Sequence, residues 1–498
     1  MDSIEEARKS VEKTYRETKS AKSDASDYVL DTPGVVDVLD NGKKLVYLND
    51  DGETTEQIKT DKRLVQPPPT ELLPYLLPRK DEVIGYIKEG IIGTKKGDAE
   101  LYERIEAYHR GISDLPNELF YDLLVLWDVH TYLLDRLHFS PMLYFYAVKE
   151  RGKSRTGKSC IYISRRGVWT ETIREADIIR WGNDHKAALG FDAKDFPKKI
   201  QKANCDDLIL ARFEAGSTSS RTLWPERGAF KDTKTFNLFG PTIIATNRPV
   251  DDILESRCIS INMKPSSKIF NNPVLPEDAL VLKTLLAAFR FQHRNTKLAE
   301  LDKPVPGRLG DILSPLQTIV ATFFPEKSER FNSLVKIISE QKQDEATDTF
   351  EAQIVEAIVK AEEQVVDGFL PVDIIASLFN EGKDERFVVR NDTVGRVSRG
   401  LGFSSRRTTG GKRGIYYDPE LIKKVAFQYG IITDVDLSET ASLPSLPTTN
   451  NQKKDASDTS DSDSYTPVII DVFKGKDPGS GGEFADKILE VTHGGKHE

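Results

Sequence analysis

The stretch SPMLYFYAVKERGKSRTGKSC, residues 140–160, constrains the fold more than any other. PMLYFYAVK is a short continuous apolar run, as expected of a central strand in a parallel sheet. It runs directly into Gly152, Lys153, Ser154, Arg155, Thr156, Gly157, Lys158, Ser159 and Cys160, whose spacing fits G-x-x-x-x-G-K-[ST]. Glycines there let backbone N–H groups close around phosphate oxygens, and a helix starting behind them adds a favourable dipole. A strand, a glycine loop and a helix in that order call for an α/β layer built on a parallel sheet. On this reading residues 152–160 form a phosphate cradle. Lys158 reaches the β- and γ-phosphates, and the Ser159 hydroxyl joins a Mg²⁺ shell.

A nucleotide hydrolase also needs a strand-end acid for the magnesium. AALGFDAKD offers Asp192, so Ser159 and Asp192 form the expected metal pair. The following residue is Ala193 rather than an acid that activates water, and Asp195 is either that base or a helix cap. In FNLFGPTIIATNRP an apolar strand ends on Asn247, suited to orienting an attacking water. Arg257, in ILESRCISI, precedes another β-prone run and is placed to stabilise transition-state charge at a neighbouring subunit's site. Lys158, Asp192, Asn247 and Arg257 are thus the expected catalytic set, with ATP and Mg²⁺ as cofactors.

The remaining chain divides by composition. Residues 1–66 hold a charged arm and a small β-hairpin around Asn41-Gly42, the preferred pair for a tight turn. Residues 67–138 are a helical region, with YDLLVLWDVHTYLLDRL apolar nearly all round and so expected as a buried helix. Residues 139–300 are the expected core and 301–345 a helical lid in which Arg308 opens a helix; QKQDEATD reads as a polar linker. LWPERGAFKDTKTF reads as a hairpin carrying Arg227, Lys231 and Lys234. Residues 346–435 show three helical patterns and a basic hairpin, the outline of a winged helix-turn-helix. Its third helix carries Arg396 and Arg399, and its wing carries Arg406, Arg407, Lys412 and Arg413, all expected on DNA. Residues 436–498, rich in Ser, Asp and Gly, read as a disordered acidic tail with a short island at TPVIIDVF.

Charge and cysteine content exclude several classes. The net charge of −9 means that nucleic-acid affinity must come from local basic patches. The three cysteines, Cys160, Cys205 and Cys258, form no metal-type pair and no disulfide framework, and read as reduced thiols. MDSIEEARKS lacks the basic and apolar regions of a signal peptide, and no apolar run approaches the ~18 residues of a membrane span. A soluble cytoplasmic protein without membrane contact is expected. VVDVLD carries two acids but reads as an ordinary strand, so a primase reading finds little support, and a separate primase chain is a candidate partner.

The segments YDLLVLWDVHTYLLDRLHFSPMLYFYAV…GKSRTGKS, ARFEAGSTSSRTLWPERGAFKDTKTFNLFGPTIIATNRP and ILESRCISI together resemble the P-loop ATPases found with primase–helicase proteins of phages, plasmids and integrated elements. These are AAA+-like and similar to superfamily III helicases. The resemblance spans roughly residues 115–430. It implies a P-loop parallel-sheet core preceded by a helical region and followed by a winged helix, in a homo-oligomeric ring, a hexamer, with ATP between subunits, moving on DNA. By position it assigns Lys158 and Ser159 to the P-loop, Asp192 to magnesium, Asn247 to the sensor and Arg257 to the finger. An ATP-dependent helicase or translocase of a mobile element is the leading expectation. An ATP-switched initiator or partition protein with weak hydrolysis is the alternative, favoured by Ala193.

Overall fold

The computed structural model describes residues 27–61, 63–266, 268–347, 349–383, 388–407 and 411–431. The charged arm and the acidic tail with its TPVIIDVF segment lie outside the described residues. The chain divides into two compact units, with the boundary between Val335 and Lys336.

The first unit opens with the expected hairpin, Val35–Asp40 paired antiparallel with Leu45–Asn49. It belongs to the main body. Asp37 and Asp31 take the guanidinium groups of Arg165 and the fully buried Arg166, and Arg290 donates to the Val36 carbonyl. A buried arginine is tolerable only with its charge matched at close range, which these carboxylates provide. Three helices follow: Lys80–Glu89, α1 (Lys95–Ile112) and α2 (Leu119–Leu133). From Phe120 to Leu133 every residue of α2 is buried, which fits a sequence apolar nearly all round and buries Asp122, Asp128, His130 and Thr131 with it.

The sheet contains β1 (Met142–Tyr146), β2 (Gly167–Thr170), β3 (Ala188–Asp192), β4 (Thr242–Thr246) and β5 (Cys258–Asn262). Its order is β5-β1-β4-β3-β2, with every pairing parallel. β4 therefore lies between β1 and β3, with Tyr146 opposite Thr246 and Asp192 opposite Ala245. The helix α3 (Lys153–Ile163) follows β1 and covers one face. Two glycines set its approach. A Cβ on Gly157 would lie 2.5 Å from the Trp169 ring, and one on Gly190 of β3 would lie 2.4 Å from the same ring. The indole thus fills a slot that only hydrogen-sized side chains leave open.

Between β3 and β4 the strands Thr218–Thr222 and Thr233–Asn237 form a hairpin, where LWPERGAFKDTKTF predicts one. The unit closes with α4 (Leu280–Gln292), the helix Gly307–Phe323 and the start of the helix Ser328–Thr347. The expected linker QKQDEATD is helical through Thr347. Its Lys, Gln, Glu and Ala are good helix formers, and Lys342 pairs with Glu345 at 3.0 Å.

The second unit has its own core of Ile354, Ile358, Leu370, Ile375, Val394 and Ile415. Its helices are α5 (Phe350–Lys360), α6 (Val372–Asn380), α7 (Asn391–Gly400) and α8 (Pro419–Gln428). Its three short strands are β6 (Phe369–Pro371), β7 (Ser405–Arg407) and β8 (Arg413–Tyr416), in the order β6-β8-β7.

Candidate functional site

The C-terminal ends of β1, β4 and β3 converge on one edge of the sheet, the place where open parallel sheets bind ligands. Residues 147–152 leave β1 there and turn into α3. The turn uses positive φ at Glu150 (64°) and Gly152 (80°). Gly152 caps α3, and its carbonyl accepts the first helical hydrogen bond from the Thr156 amide at 2.9 Å. The amides of Lys153, Ser154 and Arg155 thus form the open first turn, with no acceptor inside the helix. The Lys153 ammonium folds back over the loop and donates to the Val148 carbonyl at 3.1 Å. Partial burial lowers its pKa, while the nearby Asp192 carboxylate acts in the opposite direction.

Of the residues expected in the cradle, Gly152 to Arg155 lie at this turn, and Thr156 to Cys160 lie further along α3. Lys158 is the sixth residue of α3, about 7.5 Å further along the axis than Lys153. Ser159 is fully buried; its hydroxyl donates to the Thr156 carbonyl at 2.8 Å and lies 3.0 Å from His109 Nδ1. Thr156 is buried against Ser113 at 2.8 Å, and Cys160 is fully buried. Arg155 donates to the Ile112 carbonyl at 2.8 Å. In this structure the second Gly-Lys-Ser triplet is a helix-packing face. The first, Gly152-Lys153-Ser154, occupies the junction of loop and helix, preceded at the same spacing by Ala147. The sequence contains both triplets, and the start of the helix at Lys153 sets their different environments.

Asp192 ends β3 at half-exposure, and Asn247 follows β4 directly. The Asn247 Oδ1 is buried and has no hydrogen-bond partner. Asp195 caps the helix Phe196–Lys202 in position and lies 3.5 Å from Arg248 and 3.6 Å from Lys198. Ala193 is buried, its amide bonded to the Ala245 carbonyl. Arg257 sits at the opposite end of the sheet, before β5, about 15 Å from the loop edge by strand length. Its guanidinium donates to the Ile253 carbonyl at 2.6 Å and stands 6.0 Å from the Phe213 ring. Burial, and then the neighbouring Arg308, lower its pKa. The structure therefore brings Lys153, Ser154, Asp192 and Asn247 to one edge and leaves Arg257 at the other.

On the hairpin, Arg227 stacks 4.3 Å from the Trp224 ring and Lys234 lies 5.0 Å from the Phe236 ring. Lys231 is exposed near the tip.

In the second unit Arg396 and Arg399 are exposed on α7, and Arg406 and Arg407 are exposed on β7. A groove of about 720 Å³ lies between α7 and the β7–β8 hairpin. Lys412 and Arg413 also line it, but Arg413 is paired with Asp392 at 2.6 Å and Lys412 lies 3.9 Å from Asp373. These two acids were not anticipated from the sequence, because they sit on helices away from the basic run.

No family model matches the chain, and no curated protein matches it. Two solved structures of the NrS-1 C-terminal region, each an apo A form, align at 13% identity over 73% of this chain and 82% of theirs. The TM-score is 0.31 for both, too low to carry any inference. No helix among the described residues is long and apolar enough to cross a membrane.

Proposed function

We propose that the first unit is a P-loop ATPase of the AAA+-like kind and the second a DNA-binding winged helix, together forming an ATP-dependent DNA helicase or translocase. The observation that carries the reading is the loop 147–152 and the first turn of α3 beside Asn247 at the end of β4 and Asp192 at the end of β3. A triphosphate on the open amides of residues 153–155 has the Lys153 ammonium beside its β- and γ-phosphates once that group leaves the Val148 carbonyl. The Ser154 hydroxyl and the Asp192 carboxylate are the oxygen ligands that Mg²⁺ prefers. The unpaired Asn247 Oδ1 is an acceptor for a water held against the γ-phosphate. Magnesium draws charge from the phosphates, and the chain's own groups hold, orient and neutralise.

Arg257 is too far from the loop of its own chain to act there, so its role as a finger requires a neighbouring copy, as in a ring. The exposed arginines of α7 and β7 support duplex contact through phosphates, with α7 as the element suited to a major groove. A specific observation favours the second reading, an ATP-switched DNA-binding protein with weak hydrolysis. Ala193 is buried where a base is expected, and Asp195 is engaged by Arg248 and Lys198.

The test is ATP turnover with and without single-stranded DNA, alongside mass measurement in ATP. DNA-stimulated turnover by an oligomer supports the motor; tight binding without turnover supports the switch; no nucleotide binding refutes both.

A further inference from the structure

Behind the loop, α3 meets α1 and α2 through a cluster that is closed to solvent. His109, Asp128, Ser159 and Cys160 are all fully buried. His109 Nε2 lies 2.6 Å from Asp128 Oδ2. One donor atom each from His109, Asp128 and Cys160 falls within 4.8 Å of the other two. Two polar atoms here are left over: Asp128 Oδ1 and the Tyr108 hydroxyl are buried, and neither has a hydrogen-bond partner. The Tyr108 ring stands edge-on to the His109 ring, with centroids 5.4 Å apart. Protein interiors leave few polar atoms unpaired, and two in one cluster point to a missing group.

We propose that this cluster is a structural cation site, in which His109, Asp128 and Cys160 bind one Zn²⁺ and tie α1, α2 and α3 together. Imidazole, carboxylate and thiolate are the donors that zinc takes, at about 2.0–2.3 Å each. Donors around such an ion stand ~3–4 Å apart, so a shift of under an ångström opens the His109–Asp128 contact. The fourth position falls to the Tyr108 hydroxyl or a water. Charge favours the ion. With it, one carboxylate and one thiolate balance the two positive charges. Binding displaces the thiol proton and the proton shared by His109 and Asp128, so two protons leave as the ion enters.

The test uses the full chain expressed with zinc in the medium, and reads metal content after gel filtration. One zinc per chain is expected in the wild type and in Cys205→Ser, with near-complete loss in Cys160→Ser and His109→Gln. Growth with cobalt should give a thiolate-to-cobalt absorption band that Cys160→Ser lacks. Folded wild type holding under a tenth of an equivalent of metal overturns the proposal, as does full zinc retention in Cys160→Ser. If the variants do not fold, the wild-type metal content and the cobalt band decide alone. Neither readout depends on nucleotide binding, so failure here is separate from failure of the ATPase reading.

Discussion

Two Gly-Lys-Ser triplets five residues apart take different environments because one opens the helix and the other lies within it. The spaced motif draws attention to Lys158 and Ser159, since only that triplet has a glycine five residues upstream. What decides otherwise is tertiary: Ser159 meets His109, fifty positions earlier, and no local pattern announces that contact. Asp192 and Asn247 were legible because an apolar run ending in a polar residue marks a strand end. His130 is a second residue that sequence could not place. It is fully buried on α2, its Nε2 has no partner, and burial lowers its pKa to about 4. The unfolded chain takes up that proton near 6.5, so the folded state loses stability as pH falls from 6.5 towards 4. His130→Leu should remove this part of the acid limb, a difference of about 3 kcal/mol between pH 7 and pH 4. Urea unfolding of both proteins at a series of pH values reads it, and parallel pH profiles would contradict it.

At the scale of elements, alternation of strand and helix made the parallel sheet legible, and the basic hairpin of the second unit was legible from its glycines and cations. The helical run through QKQDEATD was not, because a polar segment reads as linker when its neighbours are unknown. Gly157 shows how packing overrides propensity. Alanine in mid-helix usually gains about 1 kcal/mol over glycine. Here the added methyl meets the Trp169 ring, so Gly157→Ala should instead destabilise by roughly 1–3 kcal/mol. A rise in thermal midpoint would contradict the packing account. In the basic hairpin, Lys412 and Arg413 already have acidic neighbours, whereas Arg406 and Arg407 are exposed on β7. Arg406→Ala with Arg407→Ala should weaken duplex binding more than Lys412→Ala with Arg413→Ala. It should also lower the salt slope by about 2, which anisotropy over a salt series measures. Equal losses from both pairs would mean that the acids do not compete with phosphate.

Across the whole molecule, stretches that read as separate regions along the chain are linked by long-range packing. The N-terminal hairpin, the helical layer and the sheet share one unit, joined by ion pairs such as Arg166–Asp31 whose partners lie 135 residues apart. Such pairs have no signature along the chain. The distance between Arg257 and the loop edge makes the proposed assembly testable. Arg257→Ala should retain ATP binding but lose most turnover, and mixing it with Lys153→Ala should restore part of the activity at interfaces where both intact groups meet. Mixed oligomers, verified by mass, that show no recovery would remove Arg257 from the site.

The central claim, that Gly152-Lys153-Ser154 and not the triplet at 157–159 holds the phosphates, is tested most directly by comparing Lys153→Ala with Lys158→Ala. Binding of a fluorescent ATP analogue with Mg²⁺ should fall by at least a hundredfold in folded Lys153→Ala, since it removes a charge-assisted contact worth about 3 kcal/mol or more. Lys158→Ala should bind within about threefold of wild type. The reverse order, with Lys153→Ala binding normally and Lys158→Ala losing the nucleotide, would contradict the account and return the site to the second triplet.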